Sequence, residues 1–154
     1  MGTTVPHRYS LHAVSTKRGP KLTVDIVIQR RDGSMILIKR RNPPYRELYA
    51  LPGGFVEEGE TVEAAAIREA EEETGLKVKL TNLVGAYSDP NRDPRGHTVS
   101  IAYLAQELGG TLHPATDAAE AKSFKIPPSK LAFDHNIILQ DALKLMKNLA
   151  RRAS

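Results

Sequence analysis

A chain of 154 residues can bury one core without staples, and its 26% charged and 40% apolar content is that of a soluble globular domain rather than a disordered chain. It has no cysteine, which excludes disulfides and thiolate-bound zinc or iron–sulfur centres, and no apolar run long enough to span a bilayer. The net charge of +4 gives a weak field toward anions. The basic clusters, Lys39-Arg40-Arg41 and Arg92–Arg95 among them, do not make the dense stripe with interleaved aromatics expected of a nucleic-acid binder.

The opening MGTTVPHRYSLHAVSTKRGPK has no apolar core with a cleavage site, and Pro6 breaks the pattern of a myristoylation start. The chain therefore reads as soluble and cytoplasmic, with residues 1–20 as an arm or lead-in and 21–150 as a single domain. Lys21–Gln29 is β-branched and reads as a strand; Asp32-Gly33 signals a hairpin, and Ser34–Lys39 returns from it. Pro43-Pro44 marks a loop and Tyr49–Leu51 a short extended piece. Pro52-Gly53-Gly54 reads as a sharp turn.

A helix is expected from Thr61, a good N-cap, to Gly75, which suits the position just past a helix C-terminus. Val78–Tyr87 reads as a strand kinked near Gly85, Ser88–Gly96 as a loop, and His97–Gln106 as the best alternating strand in the chain. Gly109-Gly110 is expected to turn it around. Ala115–Ala121 reads as an acidic loop, Lys122–Ile126 as a short strand, and Asp134–Arg152 as an amphipathic helix facing the core.

The stretch Gly54–Leu76 (GFVEEGETVEAAAIREAEEETGL) carries the chemistry. Residues three and four apart on a helix are neighbours, so Glu69, Glu72 and Glu73 fall on one face, where like charges repel. A solvated acidic face is one reading. A site for a divalent cation, which takes hard oxygen ligands, is the other.

Gly54, Glu60, Arg68, Glu69, Ala70, Glu72, Glu73, Gly75 and Leu76 match the Nudix box at every charged and glycine position, and LPGG at Leu51–Gly54 is also typical of that family. Ala70 is smaller than the aliphatic residue common there. The chain is thus identified as resembling the Nudix hydrolases, which implies an α/β/α sandwich around a mixed β-sheet. It also implies hydrolysis of a nucleoside diphosphate linked to another group. Cleaving a diphosphate requires neutralised phosphate oxygens and an activated water, tasks for Mg²⁺ or, in its place, Mn²⁺.

The resemblance implies Glu72 and Glu73 as principal metal ligands, Glu69 as a third, and a backbone carbonyl from Gly54 or its neighbour Gly53. Arg68 would hold the carboxylates in place, and Glu60 would anchor the loop to the helix or support the metal from just outside its ligands. The general base is a box glutamate or a later one; Glu120 in DAAEAKSF is the later candidate, although Ser123 stands where the family commonly has Trp.

Asp89–Ser100 (DPNRDPRGHTVS) and Leu131–Leu143 (LAFDHNIILQDAL) resemble the ADP-ribose pyrophosphatase branch. Arg92 and Arg95 are candidate phosphate contacts, through bidentate guanidinium pairing, or members of a self-satisfied Asp–Arg turn. His97 would orient that loop or touch a ribose, and Tyr49 and Phe55 would flank an adenine or join the core. The implied substrate is ADP-ribose, cleaved to AMP and ribose 5-phosphate.

Nucleoside triphosphates, NADH, dinucleoside polyphosphates and capped RNA are the alternatives, as is a non-catalytic ADP-ribose sensor. Related sensors carry a further DNA-binding segment after this domain, and the intact glutamates argue for turnover. The family also implies a homodimer, with the arm or the loop before His97 as plausible participants.

Overall fold

The computed structural model describes residues 18–115 and 118–154. The expected lead-in therefore lies outside the described residues up to position 17. Seven strands and two helices follow, in the order β1 (Lys21–Gln29), β2 (Met35–Arg40), β3 (Tyr49–Ala50), β4 (Gly53–Phe55), α1 (Val62–Thr74), β5 (Leu76–Tyr87), β6 (Thr98–Gly110), β7 (Ala118–Phe124) and α2 (His135–Ala153). All the strands join one sheet, in which β1 and β6 run parallel and the other pairs antiparallel. It is a mixed α/β fold.

The central strand explains the layering. In β1, Val24, Ile26 and Ile28 pack with Ala65, Ala66 and Ala70 of α1, while Val27 packs with Ile138, Leu139 and Ala142 of α2. Side chains alternate across a strand, so a continuous apolar run serves a sheet covered on both faces. α1 is capped as its sequence suggests. Thr61 accepts from the Ala64 N–H at 3.0 Å, and left-handed Gly75 donates to the Glu71 carbonyl.

Three local expectations fail. Pro52-Gly53-Gly54 is no turn: the chain bends at Pro52 and both glycines lie in β4, with Val24 opposite Gly54 and Asp25 opposite Gly53. The glycine serves close approach instead, because a Cβ on Gly53 would lie 2.1 Å from the Val24 carbonyl oxygen. Gly109-Gly110 does not turn the chain around either. Strand β5 starts directly after Gly75, so Leu76 and Lys77 are available to pair with Gly110 and Gly109.

The stretch expected as the loop Ala115–Ala121 is strand from Ala118 onward, because β2 offers it an open edge from Met35 to Arg40; positions 116 and 117 lie outside the described residues. Where β1 and β2 diverge, β3 and β4 wedge between them, and this brings Gly53, Gly54 and Phe55 to the mouth of a cleft beside α1.

Candidate active site

The cleft opens over the second half of α1. A recess of about 870 Å³ is lined by Gly54, Phe55, Glu69, Glu72, Glu73 and His113. It adjoins a second recess reaching down to Asp25, Arg92, Phe133 and His135, and the two share Arg40, Gly53, Gly54, Phe55, Glu73 and Arg95. A third hollow on the far side of Phe55 is bounded by Lys21, Arg95 and His97.

The three box glutamates do not meet at one point. Among the described residues, no three Asp, Glu or His side chains are gathered as a ready ligand set. Arg68 interposes its guanidinium instead, donating to Glu69 at 2.9 Å and Glu72 at 3.1 Å. The same group forks onto both oxygens of Glu60, at 2.7 and 2.9 Å, and reaches the Phe55 carbonyl at 3.1 Å. One cation thus offsets like charges that would otherwise repel along the helix.

The bond from Arg68 and a second from the Glu57 N–H hold the Glu60 carboxyl down at about 2. For Arg68 itself the Glu60 bond is the main cause of a raised value. Burial pushes Glu69 above the ordinary carboxylate range, against the pull of Arg68.

The donor set fits a hard divalent cation. Glu69, Glu72 and Glu73 supply anionic oxygens, the chemistry that magnesium and manganese prefer. Gly54 supplies the space: a Cβ there would stand 2.5 Å from the Glu69 carboxylate, so only glycine lets that carboxylate lie against the backbone of β4. The strand register also separates the two glycine carbonyls. Pro52 accepts from the Ile26 N–H, and Val56 donates to the Leu22 carbonyl. By the two-residue period, Gly54 lies in a hydrogen-bonded pair with Val24, and the Gly53 carbonyl is turned from β1.

Arg92 lies deep. Its side chain is 5% exposed and forks onto Asp134 at 2.8 and 2.9 Å, with Thr98 accepting at 2.8 Å and Asp25 at 3.5 Å. Leu51 N–H donates to His135 Nδ1 at 2.9 Å, which leaves Nε2 to carry the proton toward Asp25 at 3.2 Å. Burial pushes Asp25 up, yet His135, Ser100 and Arg92 together hold it below the ordinary range. Ser100 donates to Asp25 rather than to the imidazole, so Ser, His and Asp here form no nucleophilic triad. The cluster ties β1, the loop after β5 and the start of α2 together.

Arg95 remains at the cleft with its side chain 52% exposed, although Asp93 takes two of its bonds, at 2.9 and 3.1 Å. His97 places Nε2 2.9 Å from the Ser88 carbonyl, across the base of its loop. Phe55 is 47% exposed, with Lys21 Nζ 5.6 Å from its ring centre.

Tyr49 and Glu120 stand elsewhere. Lys39 pairs with Tyr49 on one side and Glu120 on the other, so all three point to the same face. That face is the α2 face, since Tyr49 packs in the α2 cluster and edge-on to Phe124. Tyr49 Oη donates to Glu120 at 2.5 Å, and burial, then this partner, pushes its hydroxyl up to about 12. The glutamates of α1 are on the opposite side of the sheet, so the structure does not bring Glu120 to them.

Sequence reasoning missed Arg40, Phe133 and His113 at the cleft, and Asp25 and His135 at the bottom of its second recess. Arg40 sits in a basic run and Phe133 within LAFDHN, but neither stretch shows which member faces the cleft.

Residues 19–146 match the NUDIX domain model, so the chain belongs to the Nudix family and is an enzyme of its pyrophosphohydrolase class. Within that family its likeness falls in the ADP-ribose pyrophosphatase branch. An enzyme of that name from Methanocaldococcus jannaschii is 49% identical over 81% of this chain and 74% of its own. A MutT/nudix family protein from Enterococcus faecalis superposes with a TM-score of 0.75, at 28% identity, over 91% of this chain and 70% of that one. The NUDIX domain of Shewanella oneidensis NrtR, solved with ADP ribose, gives 0.72 at 25% identity, over 90% and 94% respectively.

Proposed function

We propose that this enzyme hydrolyses the diphosphate bond of ADP-ribose to AMP and ribose 5-phosphate, with Mg²⁺ or, in its place, Mn²⁺. The observation that carries the reading is the junction of two unlike recesses at Gly53–Phe55. The acidic one, with Glu69 and Glu72, suits a cation; Arg40, Arg95 and Phe55, which it shares with the recess beside it, suit a diphosphate with a base or sugar on either side. The 49% identity to an archaeal ADP-ribose pyrophosphatase supports the choice of substrate.

Glu69, Glu72 and Glu73 would hold the cation, with the backbone carbonyl of Gly53, which is turned from β1, rather than that of Gly54, which is paired with Val24. When bound, the ion neutralises phosphate charge and makes water a better nucleophile at neutral pH. Arg68 keeps the carboxylates apart and registered on the helix. Arg40 and Arg95 face the phosphates, Phe55 offers a ring to the base, and His97 orients the loop that carries Arg95.

Water adds its oxygen to one phosphorus, the bridging P–O bond breaks, and a box carboxylate takes the water proton. That role falls to the box because Glu120 faces Tyr49 and Lys39. Arg92 supports the loop from inside. The reading includes a homodimer, on the family resemblance; light scattering that returns the monomer mass removes it.

The test is a panel of ADP-ribose, NADH, dinucleoside polyphosphates and nucleoside triphosphates with Mg²⁺ or Mn²⁺. AMP released fastest from ADP-ribose is the expected result. Preferential cleavage of triphosphates sinks the proposal, and tight ADP-ribose binding without turnover would make the protein a sensor.

A further inference from the structure

Most of LAFDHN is explained by the fold. Asp134 holds Arg92, His135 joins Asp25 to Leu51, and Asn136 closes its turn by accepting from the Leu131 N–H and donating to the Ser129 carbonyl. Phe133 packs against the cluster of Ile38, Ala50 and Ala132 and beside His135, but this covers only part of its ring. It is half-buried and lines the recess beside Glu73, with φ at +55°. Bulky side chains avoid that conformation, and it persists only where neighbours impose it. Here the neighbours are well fixed: Ala132 N–H donates to the Tyr49 carbonyl at 2.8 Å, and His135 N–H to the Ala132 carbonyl at 3.1 Å.

The enforced conformation delivers a ring, and the ring collects cations. Arg40 Cζ stands 4.9 Å from its centre and Arg95 Cζ 5.7 Å. Tyr45, itself at φ +58°, meets the ring edge-on at 4.9 Å. Two guanidinium groups from distant parts of the chain therefore share one aromatic partner at the edge of the acidic recess. A guanidinium held over a ring spends its π-face and leaves its N–H donors in the plane. Of these, Arg40 Nε donates to the Pro44 carbonyl at 2.7 Å and Asp93 takes Nε and one Nη of Arg95, which fixes both planes where the side chains line the recess beside Glu73.

We propose that Phe133 is a positioning residue for the substrate: its ring sets Arg40 and Arg95 against the diphosphate, beside Glu73. The inference rests on the proposed function for the identity of the substrate and on ring and guanidinium geometry for the rest. Leucine at this position would fill space without attracting a cation. Asparagine, which tolerates left-handed backbone, would keep the conformation and remove the ring. Tyrosine would keep the ring.

The test compares wild type with Phe133→Leu, Phe133→Asn and Phe133→Tyr, in turnover of ADP-ribose and in ADP binding by calorimetry with Mg²⁺. Leu and Asn are expected to raise KM, and to weaken ADP, by about tenfold, the scale of two cation–π pairs at a half-exposed site. The change in kcat is smaller, and Tyr restores both readouts. No ADP binding by the wild type, equal affinity in all four proteins, or recovery in Phe133→Asn would overturn the proposal. If the wild type cleaves a different nucleoside diphosphate derivative, the choice of ADP-ribose fails while the ADP series still decides the role of Phe133.

Discussion

Arg68 and Arg92 do the same elementary thing in different places. Each forks onto one carboxylate and bonds others around it: Arg68 onto Glu60, with Glu69 and Glu72, and Arg92 onto Asp134, with Asp25. The side chain of Arg68 is 23% exposed at the cleft mouth, and that of Arg92 5% exposed at the bottom of the adjoining recess. Water can reach the first cluster, so its carboxylates can exchange a guanidinium partner for a cation. The second has no such freedom, because a buried charge that loses its partner is left uncompensated. On the proposed function, the first cluster serves chemistry and the second architecture.

The largest expected effect tests the first half of that contrast. Glu72→Gln or Glu73→Gln keeps shape and removes an anionic donor, so activity should fall by roughly 10²–10⁴-fold, with the metal requirement shifted to higher concentration. Unfolding midpoints should move little, since Glu72 is 58% exposed at its side chain. A metal titration beside a thermal melt separates the two. Lost stability with activity retained at saturating metal would make these residues structural.

Arg92→Met should do the reverse. It leaves Asp25 and Asp134 without their cation, and breaking a buried pair costs about 3–5 kcal/mol. Denaturant unfolding should show the loss, whereas the protein that remains folded should keep most of its turnover. Normal stability with a raised KM in the Arg92→Met protein would move Arg92 back among the substrate contacts.

Acid should separate the clusters more finely. Glu60 and Asp25 both have depressed values in the fold, so the unfolded chain binds protons first as pH falls. Their stabilisation is complete above the ordinary carboxylate value and fades below it. For Glu60 the loss runs from about 4.5 down to about 2. Unfolding midpoints measured from pH 6 to pH 2 should therefore decline on the acid side. Asp25→Asn should flatten that decline more than Glu60→Gln, because solvent screens the cleft-side cluster. Equal flattening would erase the distinction.

The same contrast explains what could be read from the chain alone. The partners of Arg68 lie within Gly54–Leu76, so helical spacing and motif framing reveal them before any fold is known. The carboxylate partners of Arg92 are 42 and 67 residues away, and only the folded sheet with α2 docked on it brings them together. Spacing left Arg95 with either a phosphate or its own turn. In the fold it bonds Asp93 and still lines the cleft. Strand β4 was illegible because the close approach of Gly53 to β1 and a turn call for the same residue. Phe133 was hidden for a related reason: no local pattern announces a ring that collects two distant arginines.

The smallest effect belongs to Glu120, and it probes the boundary between the two faces of the sheet. Its carboxylate accepts from Tyr49 and lies 3.8 Å from Lys39 Nζ, on the α2 side and 48% exposed. Glu120→Gln leaves a side chain that still accepts the Tyr49 bond and loses only a surface ion pair, worth about 0–1 kcal/mol. Turnover at saturating metal should stay within about threefold of wild type, far from the ~10²–10⁴-fold of a lost general base. The Tyr49 hydroxyl should ionise at lower pH once the neighbouring charge is gone, which ultraviolet titration would register. Glu120→Gln as the most damaged of the glutamate variants would mean that the strand turns over during the reaction and that proton transfer crosses from the other side of the sheet.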